Sequence, residues 1–210
     1  FPKSIINVIK SPDLMMDYSM NLYQGCEHGC SYCFARPTHE FWGYSAGVDF
    51  ERRLMVKKNA PELLEKTFQK KSYVPKIIML SGNTDCYQPI ERQFEITRKL
   101  LQVCLDYRHP VSIITKNALV LRDIDILENL AEKNLISVSL SIPTINEDLR
   151  RVMEPRTSTA KNKLKAIEVL SSKNIPVNVM IAPVIPGLTS DESLGIMKAV
   201  SEAGARSCGY

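Results

Sequence analysis

Three cysteines fall close together at Cys26, Cys30 and Cys33, in the stretch Gly25-Cys26-Glu27-His28-Gly29-Cys30-Ser31-Tyr32-Cys33. Their spacing is Cys-x3-Cys-x2-Cys, with an aromatic residue, Tyr32, before the last. Gly25 and Gly29 permit positive φ, so the backbone can fold back and aim three sulfurs at one centre. Three thiolates do not close a four-iron cluster, which takes four ligands. One iron would keep an open position, the feature that separates a reactive metal site from a closed structural one. A zinc site completed by His28 or His39, and three unrelated buried thiols, are the alternatives that this stretch leaves open.

The rest of the chain must position that loop. Its 210 residues predict one domain or at most two, and 44% hydrophobic content suffices for a sizeable core. The net charge of +4, from 27 basic and 23 acidic residues, is too small and too dispersed to mark a nucleic-acid footprint. No run approaches the ~18 apolar residues of a membrane span. No secretory leader precedes the cysteines, which predicts a reduced, cytoplasmic protein. Starting at Phe1 rather than Met and stopping within a strand-like run, the chain reads as a piece of a longer one.

Residues 1–18 read as an irregular lead-in punctuated by Pro2 and Pro12, and residues 19–210 as the core domain. Residues 19–24 predict a first strand running straight into the cysteine loop. Asn59 is the expected N-cap of a helix reaching about residue 70. Strands are then expected at 76–81, 110–115, 136–142 and 176–182, with helices over 89–107, 119–133 and 161–173. Residues 189–192 read as a capping box opening a last helix that Gly204 closes. Asn134 and Asn174 each sit where a helix should end in the left-handed conformation before a strand. Alternating βα units imply a parallel sheet, here an α/β partial (β/α)6 barrel that stops near its sixth strand. A flat doubly wound sheet is the rival, but its glycine-rich fingerprint is missing after the first strand.

In such folds chemistry collects at the C-terminal strand ends. Those ends carry the cysteine loop, residues 81–87, residues 115–117, Ser139 and Ser141, and residues 182–187. The cysteine spacing with its aromatic resembles the signature of the radical S-adenosylmethionine superfamily. Residues 21–50, 82–98, 114–125, 154–156 and 182–188 are similar, more narrowly, to the group around spore photoproduct lyase and its relatives labelled DNA repair photolyase-like.

That resemblance implies that Cys26, Cys30 and Cys33 hold a 4Fe–4S cluster whose open iron binds S-adenosylmethionine. It implies that Tyr32 lies on the adenine side, and that Gly82, Thr84 and Asp85 meet the amino-acid part. Lys116 would pair with the carboxylate, Ser139 or Ser141 would meet the ribose or methionine part, and Ala182 would lie beside adenine. An external one-electron reductant of flavodoxin or ferredoxin type is implied as partner. The substrate is left unknown, with nucleic acid among the classes open. One departure stands out: where spore photoproduct lyase carries a hydrogen-donating cysteine, this chain has Asn83, which argues against lesion reversal by that route. His28 and His39 read as hydrogen-bonded loop histidines rather than iron ligands, and Glu154 with Arg156 as an ion pair in preference to a substrate contact in the loop after the fourth strand. An iron–sulfur electron carrier that binds no S-adenosylmethionine is the competing function, with Cys86 its fourth ligand. A structural zinc domain is a further rival, disfavoured by the repeating βα pattern.

Overall fold

A computed structural model describes residues 2–10 and 16–210. Its strands are β1 (Asn7–Val8), β2 (Tyr18–Met20), β3 (Tyr23–Gln24), β4 (Met55–Val56), β5 (Ile78–Leu80), β6 (Val111–Thr115), β7 (Ile136–Ser141), β8 (Val177–Met180) and β9 (Ser207–Gly209). Its α-helices are α1 (Val48–Arg52), α2 (Ala60–Phe68), α3 (Glu91–Phe94), α4 (Ile96–Asp106), α5 (Ile124–Ala131), α6 (Glu147–Met153), α7 (Ala160–Ser172) and α8 (Ser193–Glu202). One seven-stranded sheet runs in the order β1-β2-β5-β6-β7-β8-β9, and every pairing from β2 to β9 is parallel. The parallel part has the six strands expected of the α/β repeat. The sheet stays open, with β1 and β9 at its edges.

Alternation explains how this sheet has two different faces. Val111, Ile113, Ile136, Val138, Leu140, Val177 and Val179 are buried on one side. There they pack with Leu100, Leu101 and Cys104 of α4, Leu127 and Leu130 of α5 and Ile167 and Leu170 of α7. Each such side chain contributes about 1.5–3 kcal/mol by leaving water. The alternate positions Ser112, Ser137, Ser139 and Asn178 are only half-buried, and with Ile114, Ser141 and Met180 they occupy the opposite, more polar face. The chain therefore keeps one face apolar for the helices and the other open to a ligand.

The Asn134 and Asn174 joints take φ of 57° as expected, and Gly204 ends α8 at φ 95°. Several boundaries differ from the sequence reading. The lead-in is not irregular throughout, since Asn7 and Val8 pair antiparallel with Ser19 and Tyr18; Pro12 lies outside the described residues. The expected strand 19–24 is two strands, because the chain bends at Asn21 and Leu22 and β3 leaves the sheet to pair with β4. Asn59 does not cap α2 with its side chain, which instead reaches the Pro2 carbonyl. Helix 89–107 breaks at Glu95, where φ is 51°. The buried Glu91 carboxylate takes the Ile96 and Thr97 N–H groups freed by that break. The capping box at 189–192 does not form. Its Glu192 carboxylate is drawn away to the Thr144 hydroxyl and the Ile145 and Asn146 N–H groups.

Two local features yield measurable consequences. Gly25 turns the chain from β3 into the cysteine loop with φ of 81°, and a Cβ there would stand 2.7 Å from the Phe50 carbonyl oxygen. Gly25→Ala should cost about 1–3 kcal/mol in a denaturant melt from the left-handed backbone alone, and a variant as stable as the parent would contradict this. At the start of β6, His109 stacks on Phe68 at 4.3 Å, with Nε2 2.7 Å from the Tyr73 hydroxyl and Nδ1 2.9 Å from the Pro110 carbonyl. Burial holds its pKa below the ordinary histidine value. The unfolded chain thus takes up this proton more readily, so the His109 contribution to stability is full above pH ~6.5 and is lost as pH falls below it. Melting points at pH 7.5 and 5.5 should differ less for His109→Phe than for the parent.

Candidate functional site

The cysteine loop leaves β3 and is held from several sides. Cys26 N–H donates to the Phe50 carbonyl, Ser31 N–H to the Met153 carbonyl, and Arg156 N–H to the His28 carbonyl. Arg36 donates from Nε and Nη2 to the Cys30 carbonyl at 3.1 and 3.0 Å while pairing with Glu51 at 2.6 Å. Gln88, fully buried, accepts from the Glu27 N–H at 2.8 Å and donates to the Gly25 carbonyl at 3.3 Å. These contacts spend the loop's backbone groups on the scaffold.

Cys26, Cys30 and Cys33 all line one cavity of about 400 Å³, within the range of small-molecule sites. Around it stand His28, Tyr32 and Phe34 from the same loop, Ser81, Gly82, Asn83 and Asp85 after β5, Ile114, Thr115 and Lys116 at the end of β6, Ser141 of β7, and Met180, Ala182 and Pro183 around the end of β8. The C-terminal strand ends do converge. All three cysteines are free thiols, with Cys26 and Cys30 buried and Cys33 half-buried. Burial, with the Glu154 carboxylate, pushes the Cys30 thiol up to about 12, against the pull of Lys116. Burial likewise raises Cys26. Such thiols ionise when a metal takes the proton's place. Among the described residues, no three His, Cys, Asp or Glu side chains converge on a single ion. Three free thiols on one loop are the ligand type that an iron–sulfur cluster takes.

Of the other expected residues, Tyr32, Gly82, Asp85, Lys116, Ser141 and Ala182 share this cavity. Thr84 and Ser139 do not line it. The Thr84 side chain is buried and donates to the Tyr23 carbonyl at 2.7 Å, tying the β5 loop to β3. Asp85 accepts from the Thr115 hydroxyl and the Lys116 and Tyr87 N–H groups at 2.7, 2.7 and 2.8 Å. Burial would raise its pKa, but these donors and the His28 ring hold it below the usual carboxylate value. His28 Nε2 lies 3.2 Å from Asp85, close but too oblique for a well-aligned hydrogen bond, and Nδ1 is 3.1 Å from the Arg156 carbonyl. Asn83 is exposed at the cavity, its N–H held by Asn21. Cys86 points into the hydrophobic core. Ser81 takes φ of 77°, rare for a non-glycine residue, and its hydroxyl accepts the Cys86 N–H at 2.7 Å.

Two expectations give way. Both ring nitrogens of His39 are buried without a hydrogen-bond partner among the described residues, and its ring packs edge-on to Phe50. Glu154 and Arg156 do not pair. Arg156 turns outward to Glu51 and the Glu27 carbonyl. Glu154, fully buried, turns inward and meets Lys116 Nζ at 2.8 Å, Lys163 Nζ at 3.1 Å and the Tyr32 hydroxyl. Burial alone would raise the Glu154 pKa, yet the two ammonium groups and the tyrosine bring it down to about 2. Lys116 Nζ also contacts the Tyr32 hydroxyl at 3.0 Å and the Ser141 hydroxyl at 2.7 Å. Lys116, Glu154, Tyr32, Ser141 and Lys163 thus form one polar cluster at the cavity wall. Gln88, Arg36 and Lys163 were missed: Gln88 acts across more than 60 residues, and nothing in the local pattern shows that Arg36 and Lys163 turn inward to Cys30 and Glu154.

Comparison with known proteins follows this geometry. A protein of Mycobacterium bovis titled as uncharacterised is 32% identical over 208 residues, covering 96% of this chain and 61% of its own length. One from Methanocaldococcus jannaschii is 32% identical over 190 residues, covering 90% of this chain and 68% of its own. The chain therefore spans about 61% of the mycobacterial relative that it matches. Among solved structures, a mutant of spore photoproduct lyase superposes with a TM-score of 0.68 at 16% identity, covering 94% of this chain and 54% of that one. Another, described with bound AdoMet and dinucleoside spore photoproduct, gives 0.67 at 16% identity over the same shares. No helix among the described residues is long and apolar enough to cross a membrane. The family model for the Radical SAM superfamily matches residues 20–200, and the chain belongs to that superfamily.

Proposed function

We propose that this chain is the catalytic core of a radical S-adenosylmethionine enzyme in which Cys26, Cys30 and Cys33 hold a 4Fe–4S cluster. The observation that carries this reading is the sharing of one cavity by three free thiols on a pinned loop and by charged groups from the neighbouring strand ends. When bound, the cluster would supply one electron to S-adenosylmethionine, splitting it into methionine and a 5′-deoxyadenosyl radical that takes hydrogen from a substrate. An external reductant of flavodoxin or ferredoxin type would deliver that electron.

The chain's own residues bind and orient. Lys116 offers an ammonium to the carboxylate of S-adenosylmethionine, Asp85 anchors the β6 end that presents that lysine, and Gly82 leaves room beside the amino-acid part. Tyr32 and Ala182 flank the adenine, with Ser141 near the ribose or methionine part. Thr84 and Ser139 support the cavity from outside its lining. Phe34, at the mouth, helps to exclude water. Asn83 sits at the open side, where a substrate would arrive. An amide cannot usefully give a hydrogen atom to a carbon radical, so the chemistry differs from that of a cysteine placed there. The substrate class is left open, and nucleic acid is one candidate suggested by the spore photoproduct lyase likeness. The electron-carrier alternative loses its fourth ligand, since Cys86 lies in the core.

The variants should separate these roles. Cys30→Ala should lose the cluster, read as iron content and visible absorbance after anaerobic reconstitution. Lys116→Ala should keep it but bind S-adenosylmethionine roughly ten- to hundredfold more weakly, the cost of one charge-assisted hydrogen bond. Asn83→Ala should change neither. A Cys30→Ala protein with full iron content would overturn the cluster assignment, and a Lys116→Ala protein of unchanged affinity would overturn the placement of the carboxylate.

A further inference from the structure

The polar cluster behind the cavity has an unusual stoichiometry. Two lysines share one carboxylate: Lys116 Nζ lies 2.8 Å from Glu154 Oε1, and Lys163 Nζ lies 3.1 Å from Oε2. Lys163 is 1% exposed, comes from α7 and does not line the cavity. Its side chain has no acidic partner other than Glu154 among the described residues. A buried lysine is costly, and folds retain one only where it is paired. Here the pairing is incomplete, because the same carboxylate is also claimed by Lys116 and by the Tyr32 hydroxyl. The three charged groups sum locally to one positive charge. Asp85, the other acid at the cavity, has separate partners in His28, Thr115, Tyr87 and the Lys116 N–H.

We propose that Lys163 is a positioning residue that sets the charge of the cavity wall. By occupying one oxygen of Glu154, it lets that carboxylate orient Lys116 and Tyr32 without neutralising Lys116, so the wall keeps one uncompensated positive charge for a carboxylate on the ligand. This rests on the reading of the cavity as the S-adenosylmethionine site. It assigns a role in ligand selection to a residue that never touches the ligand. Without Lys163, Glu154 and Lys116 form a closed, neutral pair, and an incoming carboxylate must compete with Glu154 for the ammonium. Glu154 is fully buried and Lys116 only partly exposed, so solvent screens that competition weakly.

The test compares two ligands in cluster-reconstituted protein by isothermal titration calorimetry: S-adenosylmethionine, and 5′-methylthioadenosine, which lacks the amino-acid carboxylate. Lys163→Met should bind S-adenosylmethionine about tenfold or more weakly, while 5′-methylthioadenosine binding stays within about twofold. The double variant Glu154→Gln with Lys163→Met removes both charges, leaves Lys116 uncompensated, and should recover most of the lost affinity. A purely structural role predicts the opposite, a double variant no better than the single one. Lys163→Arg, which keeps the charge, should bind like the parent and guards against a folding defect in Lys163→Met. Equal weakening for both ligands, unchanged S-adenosylmethionine affinity in Lys163→Met, or no recovery in the double variant would each overturn the proposal. A parent protein that binds no S-adenosylmethionine would instead overturn the functional reading beneath it.

Discussion

The architecture depends on holding three free thiols, two of them buried, on a loop that has no regular secondary structure of its own. A loop in that position must satisfy its backbone polar groups or pay for burying them. It does so by reaching out to the scaffold rather than inward. Phe50 of α1, Arg36, Gln88 after β5, and residues 153–156 at and after the end of α6 each take one to three of its groups. The sulfurs face the cavity, and burial opposes the ionisation of Cys26 and Cys30. A cationic metal centre, as proposed, would relieve that opposition.

The segment that pins the loop also supplies its electrostatics. Met153 accepts from Ser31, Arg156 binds the loop through its backbone, and Glu154 between them carries the buried carboxylate. One short stretch thereby fixes both the position of the cysteines and the orientation of Lys116 and Tyr32. The acid is surrounded: two ammonium groups and the hydroxyls of Tyr32 and Thr157 occupy its oxygens, which is the condition under which a buried charge is tolerated. A second polar cluster, with Glu91, Arg122, Asp123 and Tyr23, stiffens the base of the same loops. There Glu91 also compensates for the helix break at Glu95. The polar side of the site is thus built twice, once at the cavity and once beneath it.

Much of this was legible in the sequence where a signal is local. The βα alternation and the left-handed asparagines at 134 and 174 each depend on a few neighbouring residues, and the structure follows them; the closely spaced cysteines line one cavity. The bend at Asn21 and Leu22 was hidden because both flanking pieces have strand-forming residues, and only the tertiary pairing of β3 with β4 separates them. The capping box at 189 failed because Glu192 found three better donors more than 40 residues away. The Glu154–Arg156 pair was proposed from adjacency. The chain turns rather than running extended through residues 154–156, so Glu154 faces inward and Arg156 outward, and the nearest ammonium groups came from Lys116 at the end of β6 and Lys163 of α7 instead. Lys163 looked like one more surface lysine of an amphipathic helix, and nothing short of the packed fold places it inside.

The account's central claim is that three thiolates leave one iron open to S-adenosylmethionine. Its most direct test is a single turnover of the unmodified protein: anaerobic reconstitution, chemical reduction, addition of S-adenosylmethionine, and separation of the products by liquid chromatography. The account predicts 5′-deoxyadenosine and methionine in equal amounts, formed only when cluster and reductant are both present. A fully reconstituted, reduced protein that returns its S-adenosylmethionine intact would contradict it.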